Sequence, residues 1–361
     1  MINLSTQNKV LRRSSRKLNY SFLCILILLI SGLVLLITFI IYRSHRKQPI
    51  EELAKTNFRR FQLKANIKWK KHGETIVGGN GRGHKLSQLN EPDGIYVDNQ
   101  QKSIYITDRG NHRCIIWKNT AETMTEGCGQ GKKINQLNEP TDLVVDQRNK
   151  SLIICDWKNR RVVRWSLENP LDKQILIKDI ECQGLMMNDK GDLFVSDHER
   201  DEVKKWKRGE KEGIIVAGGN GRGHQLNQFN GPTYIFVDRQ ETIYVSDYYN
   251  HRVMKWFKGA KEGIVAAGGH GYGNGSKHLS GPNGLIANEV GDVFVADSEN
   301  QRIMYWPSGS KEGHVVLGGN GHGTESNQFN WPMGLSFDSK NNLYVSDYYN
   351  HRIQRFSVDE K

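Results

Sequence analysis

The sequence predicts an all-β fold, a six-bladed β-propeller of four-stranded antiparallel blades, preceded by one transmembrane α-helix. Three observations predict it. A repeat of about fifty residues fills the chain from residue 72 onward. Each copy resolves into four short β-patterned runs. A charge-free apolar run of 23 residues, Tyr20–Tyr42, stands before the repeats.

The elements follow in chain order. Residues 1–19 form a basic tail carrying Lys9, Arg12, Arg13, Arg16 and Lys17. Residues 20–42 are long enough, at helical rise, to cross about 30 Å of hydrocarbon, with a Tyr at each end for the lipid–water boundary. Arg43, Ser44, His45 and Arg46 follow at once, with no small-residue cleavage site, so the run reads as an anchor and not a cleaved signal peptide. Five basic residues before the span against four after it lean to a cytoplasmic N-terminus and a luminal or extracellular C-terminal part. The sequons at Asn149 and Asn274 are then usable for glycosylation. Residues 43–71 form a basic juxtamembrane stalk.

Charge separates the chain in two. Residues 1–71 hold 15 Lys+Arg and 2 Asp+Glu, whereas residues 72–361 hold 36 Lys+Arg and 37 Asp+Glu. The repeat region is therefore close to neutral, which argues against nucleic acid as its partner. Five cysteines in 361 residues exclude a disulfide-dense mini-fold. Cys24 lies in the apolar run. Cys114 and Cys155 fall where other copies carry Val, Ser or Ala and read as buried thiols; a Cys114–Cys128 disulfide is open in an oxidising lumen.

Each repeat closes on an aromatic: Trp117, Trp165, Trp206, Trp256, Trp306 and Phe356, spaced 48, 41, 50, 50 and 50 apart. The first strand follows a Pro, as in 94–98 and 234–238, and is apolar on successive positions. The second ends in Asp, as in 103–108 and 242–247. The third starts at Arg and ends at the aromatic, as in 252–256, and the fourth runs into Gly-Gly, as in 213–219. The last copy stops after its third strand, while an orphan fourth strand, 74–79, precedes the first copy. Pairing the two closes a ring and leaves no open edge.

The pattern P-x-G-hydrophobic-x-hydrophobic-D, then V-x-D, then N-H-R resembles the NHL-repeat family, six-bladed and TolB-like. Asn111-His112-Arg113, Asn250-His251-Arg252 and Asn350-His351-Arg352 carry the motif. The second copy has Asn159-Arg160-Arg161, and the third reads Asp197 through Asp201 without a Gly-rich loop, which puts its blade face in question. The resemblance implies a platform for protein or RNA. A related six-bladed amidating lyase uses zinc and calcium, so a metal-dependent, lyase-like or lactonase-like enzyme is one alternative, and a tethered RNA-binding or ubiquitin-pathway scaffold another.

Residues that recur in every blade read as architecture. Asp108, Asp156, Asp197, Asp247, Asp297 and Asp347 are expected to accept backbone N–H bonds and to pair with Arg five residues on, as at Arg113, Arg252, Arg302 and Arg352. His112, His251 and His351 belong to different blades, so a shared metal site is not expected, and no cofactor is. The Gly-rich loops lack the Lys-Ser/Thr of a phosphate loop.

Positions where the copies differ are the better site signal. Those after the recurring Asp include Arg109, Trp157, His198, Tyr248 and Tyr348, followed by Tyr249 and Tyr349; those after the Pro position include Asp93. These eight are expected around one channel mouth, where aromatics with no core to fill suit a peptide, glycan or protein loop. Alanine at Tyr248 and Tyr348 is expected to remove binding without unfolding. The reading is a protein, peptide or glycan recognition module anchored in a membrane through residues 20–42, with the propeller enzyme left open as the alternative.

Overall fold

Alternating and continuous β-branched runs, punctuated by Gly and Asp turns, fold here into six four-stranded antiparallel sheets. The computed structural model describes residues 67–118, 123–126 and 129–360. Blade four shows the plan. Its strands, Pro232–Val237, Ile243–Asp247, Arg252–Trp256 and Ile264–Gly268, pair in sequence order from the centre outward. The innermost strands begin at Pro92, Pro140, Cys182, Pro232, Pro282 and Pro332. They neighbour one another in that order, and the last returns to the first, so they surround a central channel.

The ring closes as the offset repeat requires. The strand Glu74–Gly78 pairs antiparallel with Arg352–Phe356 and completes blade six. The chain is fastened to the propeller even before that strand. Trp69 is buried, packs against Phe294 and Phe337, and donates its indole N–H to Asn341 O. Trp69 also bridges to Val358. Asn341 lies in the turn before the strand Leu343–Asp347, whose other end carries Tyr348. The incoming chain therefore docks on the hairpin face, opposite the face that carries the Asp-terminated turns. Residues 20–42 lie outside the described residues; no helix among the described residues is long and apolar enough to cross a membrane.

Packing between blades supplies the core. Trp256 and Trp306 are fully buried, Phe229 packs on Trp256, and Phe329 packs on Phe356. At about 25 cal/mol per Å² of apolar area, each buried aromatic stabilises its seam by several kcal/mol. Gly at the third position of the inner strand lets neighbouring backbones approach. A Cβ on Gly284 would stand 2.2 Å from Met333 O, and one on Gly94 2.7 Å from Asp142 Cα.

Each recurring Asp organises its own blade. Asp247 Oδ1 accepts Asn230 N–H at 2.7 Å, while Oδ2 accepts Asn250 Nδ2 at 2.8 Å and Arg252 Nε at 2.7 Å. Arg252 then donates to the carbonyls of His224, Gln225 and Gln228, which ties down the Gly-rich loop. The same set recurs at Asp108, Asp156, Asp297 and Asp347 with Arg113, Arg161, Arg302 and Arg352. Burial pushes the Asp247 carboxyl up, and its backbone, Asn and Arg donors pull the other way. Blade three forms all the same. Arg200, three residues after Asp197, takes over the pairing at 2.9 Å.

The Cys155 expectation is corrected. Cys155 is not a buried thiol; it forms a disulfide with Cys182, with Cα atoms 5.4 Å apart. The reason is positional. Ser196 and Ser246, at the place of Cys155 in later blades, donate their hydroxyls to carbonyls of the next inner strand, Thr233 and Asn283, so this position already faces the following blade. Cys182 replaces the usual Pro there. Cys114 is buried, and Cys24 and Cys128 lie outside the described residues.

Asp247→Asn keeps the side-chain shape but leaves the Arg252 guanidinium buried beside a neutral amide. The expected cost is about 3–5 kcal/mol in urea denaturation. A loss below about 1 kcal/mol would show that the carboxylate does not organise its blade.

Candidate functional site at the channel mouth

The recurring Asp ends its strand and starts a single 3₁₀ turn in five blades, as at Tyr248–Asn250. The first residue of that turn, and His198 in blade three, points along the ring toward the next blade. Arg109 donates to Glu139 Oε2 at 3.3 Å. Trp157 Nε1 donates to Glu181 Oε1 at 3.1 Å. His198 Nδ1 donates to Pro232 O at 3.3 Å. Tyr248 Oη donates to Glu299 Oε1 and Tyr348 Oη to Glu91 Oε2, both at 3.0 Å. Ser298 Oγ donates to Pro332 O at 2.6 Å. A belt of six blade-to-blade bonds thus rims the mouth.

Inside the belt the channel is crossed. Asp142 and Tyr234 stand at the register where the other four inner strands have Gly94, Gly184, Gly284 and Gly334. Tyr234 Oη donates to Asp93 Oδ1 at 2.5 Å, from blade four to blade one. Those two blades stand opposite in a ring of six, so the phenol is a strut across the channel. Arg109 Nη1 holds the other oxygen of Asp93 at 3.1 Å. Met333 and Tyr348 pack against Tyr234. Asp142 Oδ2 accepts Leu185 N–H at 3.0 Å from the next blade. Burial pushes the Asp142 carboxyl up to about 7; the Leu185 and Leu143 amides oppose this, and Asp93 adds to it. Burial likewise raises Asp93, against the pull of Arg109 and Tyr234. Asp142 and Tyr234 were not singled out from the sequence. Their signal was a large polar residue at a position that is otherwise Gly.

The structure thus gathers the eight expected residues at one end but gives them different duties. Asp93 and Tyr348 are buried. Tyr348 belongs to the channel core, so the expectation that it has no core to fill does not hold for this ring. Arg109, Trp157, His198 and Tyr248 are half-buried in the belt. Tyr249 and Tyr349 remain open, at 55% and 49% exposure. Tyr249 lies edge-on to Tyr248 and Tyr349 edge-on to Tyr348, with centroids 4.9 and 4.8 Å apart. Trp157 carries a guanidinium and an ammonium on its ring, Arg109 at 4.5 Å and Lys158 at 3.6 Å. Among the described residues Glu181 and Glu299 form no ion pair, and no cluster of three or more His, Cys, Asp or Glu is arranged to hold a metal.

The NHL repeat model matches residues 89–113 and 329–356. These two segments are NHL repeats. Both matched segments span a Pro-led inner strand and its Asp turn, a unit that blades two, four and five also carry. No curated protein matches the chain. Among solved structures this propeller is similar to an auxiliary nutrient binding protein from Bacteroides thetaiotaomicron, 16% identical, covering 81% of this chain and 78% of that one at a TM-score of 0.64. It is similar to an auxiliary nutrient binding protein from Bacteroides ovatus, 12% identical, over 82% and 78%, at 0.60. It is also similar to a catalytically inactive virginiamycin B lyase from Staphylococcus aureus, 11% identical, over 81% and 100%, at 0.54. At these identities the likeness is one of fold.

Tyr234→Phe removes the strut bond and leaves Arg109 as the side-chain partner of Asp93. The expected loss is about 1–2 kcal/mol by chemical denaturation, with the fold retained. Unchanged stability would mean that the phenol does not brace the ring.

Proposed function

We propose that this chain is a single-pass, membrane-anchored NHL propeller that recognises a protein or peptide at its channel mouth, with a glycan as the other ligand its aromatics suit. One observation carries the reading: Tyr249 and Tyr349 stand open on a hydrogen-bonded belt above the channel that Tyr234 crosses. Rigid, exposed aromatics give contact area at little entropic cost. The belt also offers the carboxylates of Glu181 and Glu299 without a cation partner among the described residues. A ligand segment bearing Lys or Arg complements them.

Two features support a luminal or extracellular propeller. The Cys155–Cys182 disulfide suits an oxidising compartment. The acceptor residues Asn149 and Asn274 are both exposed, on a hairpin and on a Gly-rich loop. The incoming chain docks on the opposite face and leaves the mouth open.

Two measurements test this. The full chain expressed in animal cells should show a glycosidase-sensitive mobility shift that disappears in the Asn149→Gln/Asn274→Gln variant; a propeller protected in intact cells but degraded by protease once the plasma membrane alone is permeabilised would overturn the topology. Detergent-solubilised full chain, panned against random phage-displayed peptides, should enrich basic sequences. Their affinity should fall about tenfold or more in Tyr249→Ala/Tyr349→Ala at unchanged thermal midpoint. Enriched peptides indifferent to that variant would place recognition elsewhere.

A further inference from the structure

The His position of the N-H-R motif sits in left-handed backbone in every blade: His112, Arg160, Asp201, His251, Gln301 and His351, with φ between 52° and 55°. That turn aims the side chain at the following blade. His112 Nδ1 accepts Glu139 N–H at 3.1 Å, His251 Nδ1 accepts Gly281 N–H at 3.2 Å, and His351 Nδ1 accepts Glu91 N–H at 3.1 Å. Where His is replaced, another acceptor does the same task. Asp201 Oδ1 accepts Gly231 N–H at 2.8 Å, and Gln301 Oε1 accepts Trp331 N–H at 2.6 Å. Blade two has Arg160, which has no acceptor. It pairs with Asp179 and Glu199, and this is the seam that carries the Cys155–Cys182 disulfide. Five seams therefore hold an acceptor staple and the sixth a covalent one.

We propose that the three histidine staples make the propeller acid-sensitive at the seams between blades one and two, four and five, and six and one. An imidazole accepts at Nδ1 only while that nitrogen is unprotonated. Protonation of that nitrogen turns the acceptor into an N–H facing another N–H. The Gln301 staple has no such proton to gain, and the Asp201 carboxylate is held by Arg222 at 3.0 Å. Acidification thus loosens three seams and spares the rest.

The charged groups around the imidazoles set the balance. His351 faces Glu91, Asp108 and Asp347, which favour its charged form, and Arg82, which opposes it; burial is the largest influence and keeps its pKa below the ordinary value. In the repeat register the corresponding groups around His112 are Glu139, Asp156 and Asp108, with Gln130 in place of Arg82. Around His251 they are Asp297 and Asp247, with Gly281 and Tyr272 in place of Glu91 and Arg82; the Tyr272 ring lies 5.5 Å from the imidazole. Because the folded His351 binds its proton less readily than the unfolded chain, its contribution is present above the ordinary range and is lost as pH falls through the folded value. Asp142 acts in the opposite sense. Its folded carboxyl titrates near 7 against 3.8, so it favours the folded state as pH falls between those values.

The test compares the full chain with His112→Gln/His251→Gln/His351→Gln. Gln is the substitute that seam five to six already uses, and Asp142 is common to both chains. The thermal midpoint of the unsubstituted chain should fall between pH 7.5 and 5.5 by about 4 °C or more beyond the fall in the Gln variant. Equal falls would overturn the proposal. Should the triple variant not fold, hydrogen exchange on the unsubstituted chain decides. On acidification the amides of Glu91, Glu139 and Gly281 should lose at least about tenfold in protection factor relative to those of Gly231 and Trp331. Uniform change across the five would overturn it.

Discussion

The buried aspartate at the end of each second strand is the interaction on which this propeller depends. A carboxylate fully removed from water is costly unless its lone pairs are used. In five blades one oxygen takes the backbone N–H of the residue two before the inner strand, and the other takes an Asn amide and an Arg guanidinium. The Arg then satisfies three carbonyls of the Gly-rich loop. One side chain thereby connects the second strand, the inner strand, the 3₁₀ turn and the loop. Remove the charge and four segments lose their common partner. In these five blades the Asp-to-Arg spacing of five residues lets one carboxylate serve all four segments, whereas in blade three Arg200, three residues on, pairs with Asp197.

Seams between blades obey a looser rule. The position after Asn must present something that the next blade's amide will bond, and the backbone places it in left-handed conformation to do so. His, Gln and Asp all satisfy that need. Arg does not, and there the chain carries a disulfide one layer closer to the axis. Variation along the repeat is therefore not noise: it records different chemical answers to one geometric demand. The inner belt shows the same latitude, with Arg, Trp, His, Tyr and Ser each handing a donor to the neighbouring blade.

Periodic features were legible in the sequence because they are local. Strand alternation, Asp-to-Arg spacing and the orphan strand all follow from residues a few positions apart or from comparing copies. The features that were not legible join residues far apart. Tyr234 meets Asp93 across 141 positions, and Trp69 meets Asn341 across 272. No spacing rule predicts such pairs. The same limit hid the duties of the mouth residues. Tyr348 and Tyr349 are adjacent and identical, yet one fills the channel and the other faces solvent, because the 3₁₀ turn directs successive side chains inward and outward.

Closure of the channel decides where recognition can reside. The Tyr234–Asp93 strut, backed by Arg109 and packed by Met333 and Tyr348, leaves no unoccupied carboxylate pair on the axis for a ligand to meet. On the proposed reading a ligand meets the surface above the belt, where Tyr249, Tyr349, Glu181 and Glu299 stand. Two further glutamates of the mouth, Glu91 and Glu139, donate the backbone amides that His351 and His112 hold. Their side chains accept from Tyr348 and Arg109. Mouth and seam are thus built from the same two residues. On the proposal above, a seam loosened by acid would therefore free backbone directly beside the belt bonds of Tyr348 and Arg109.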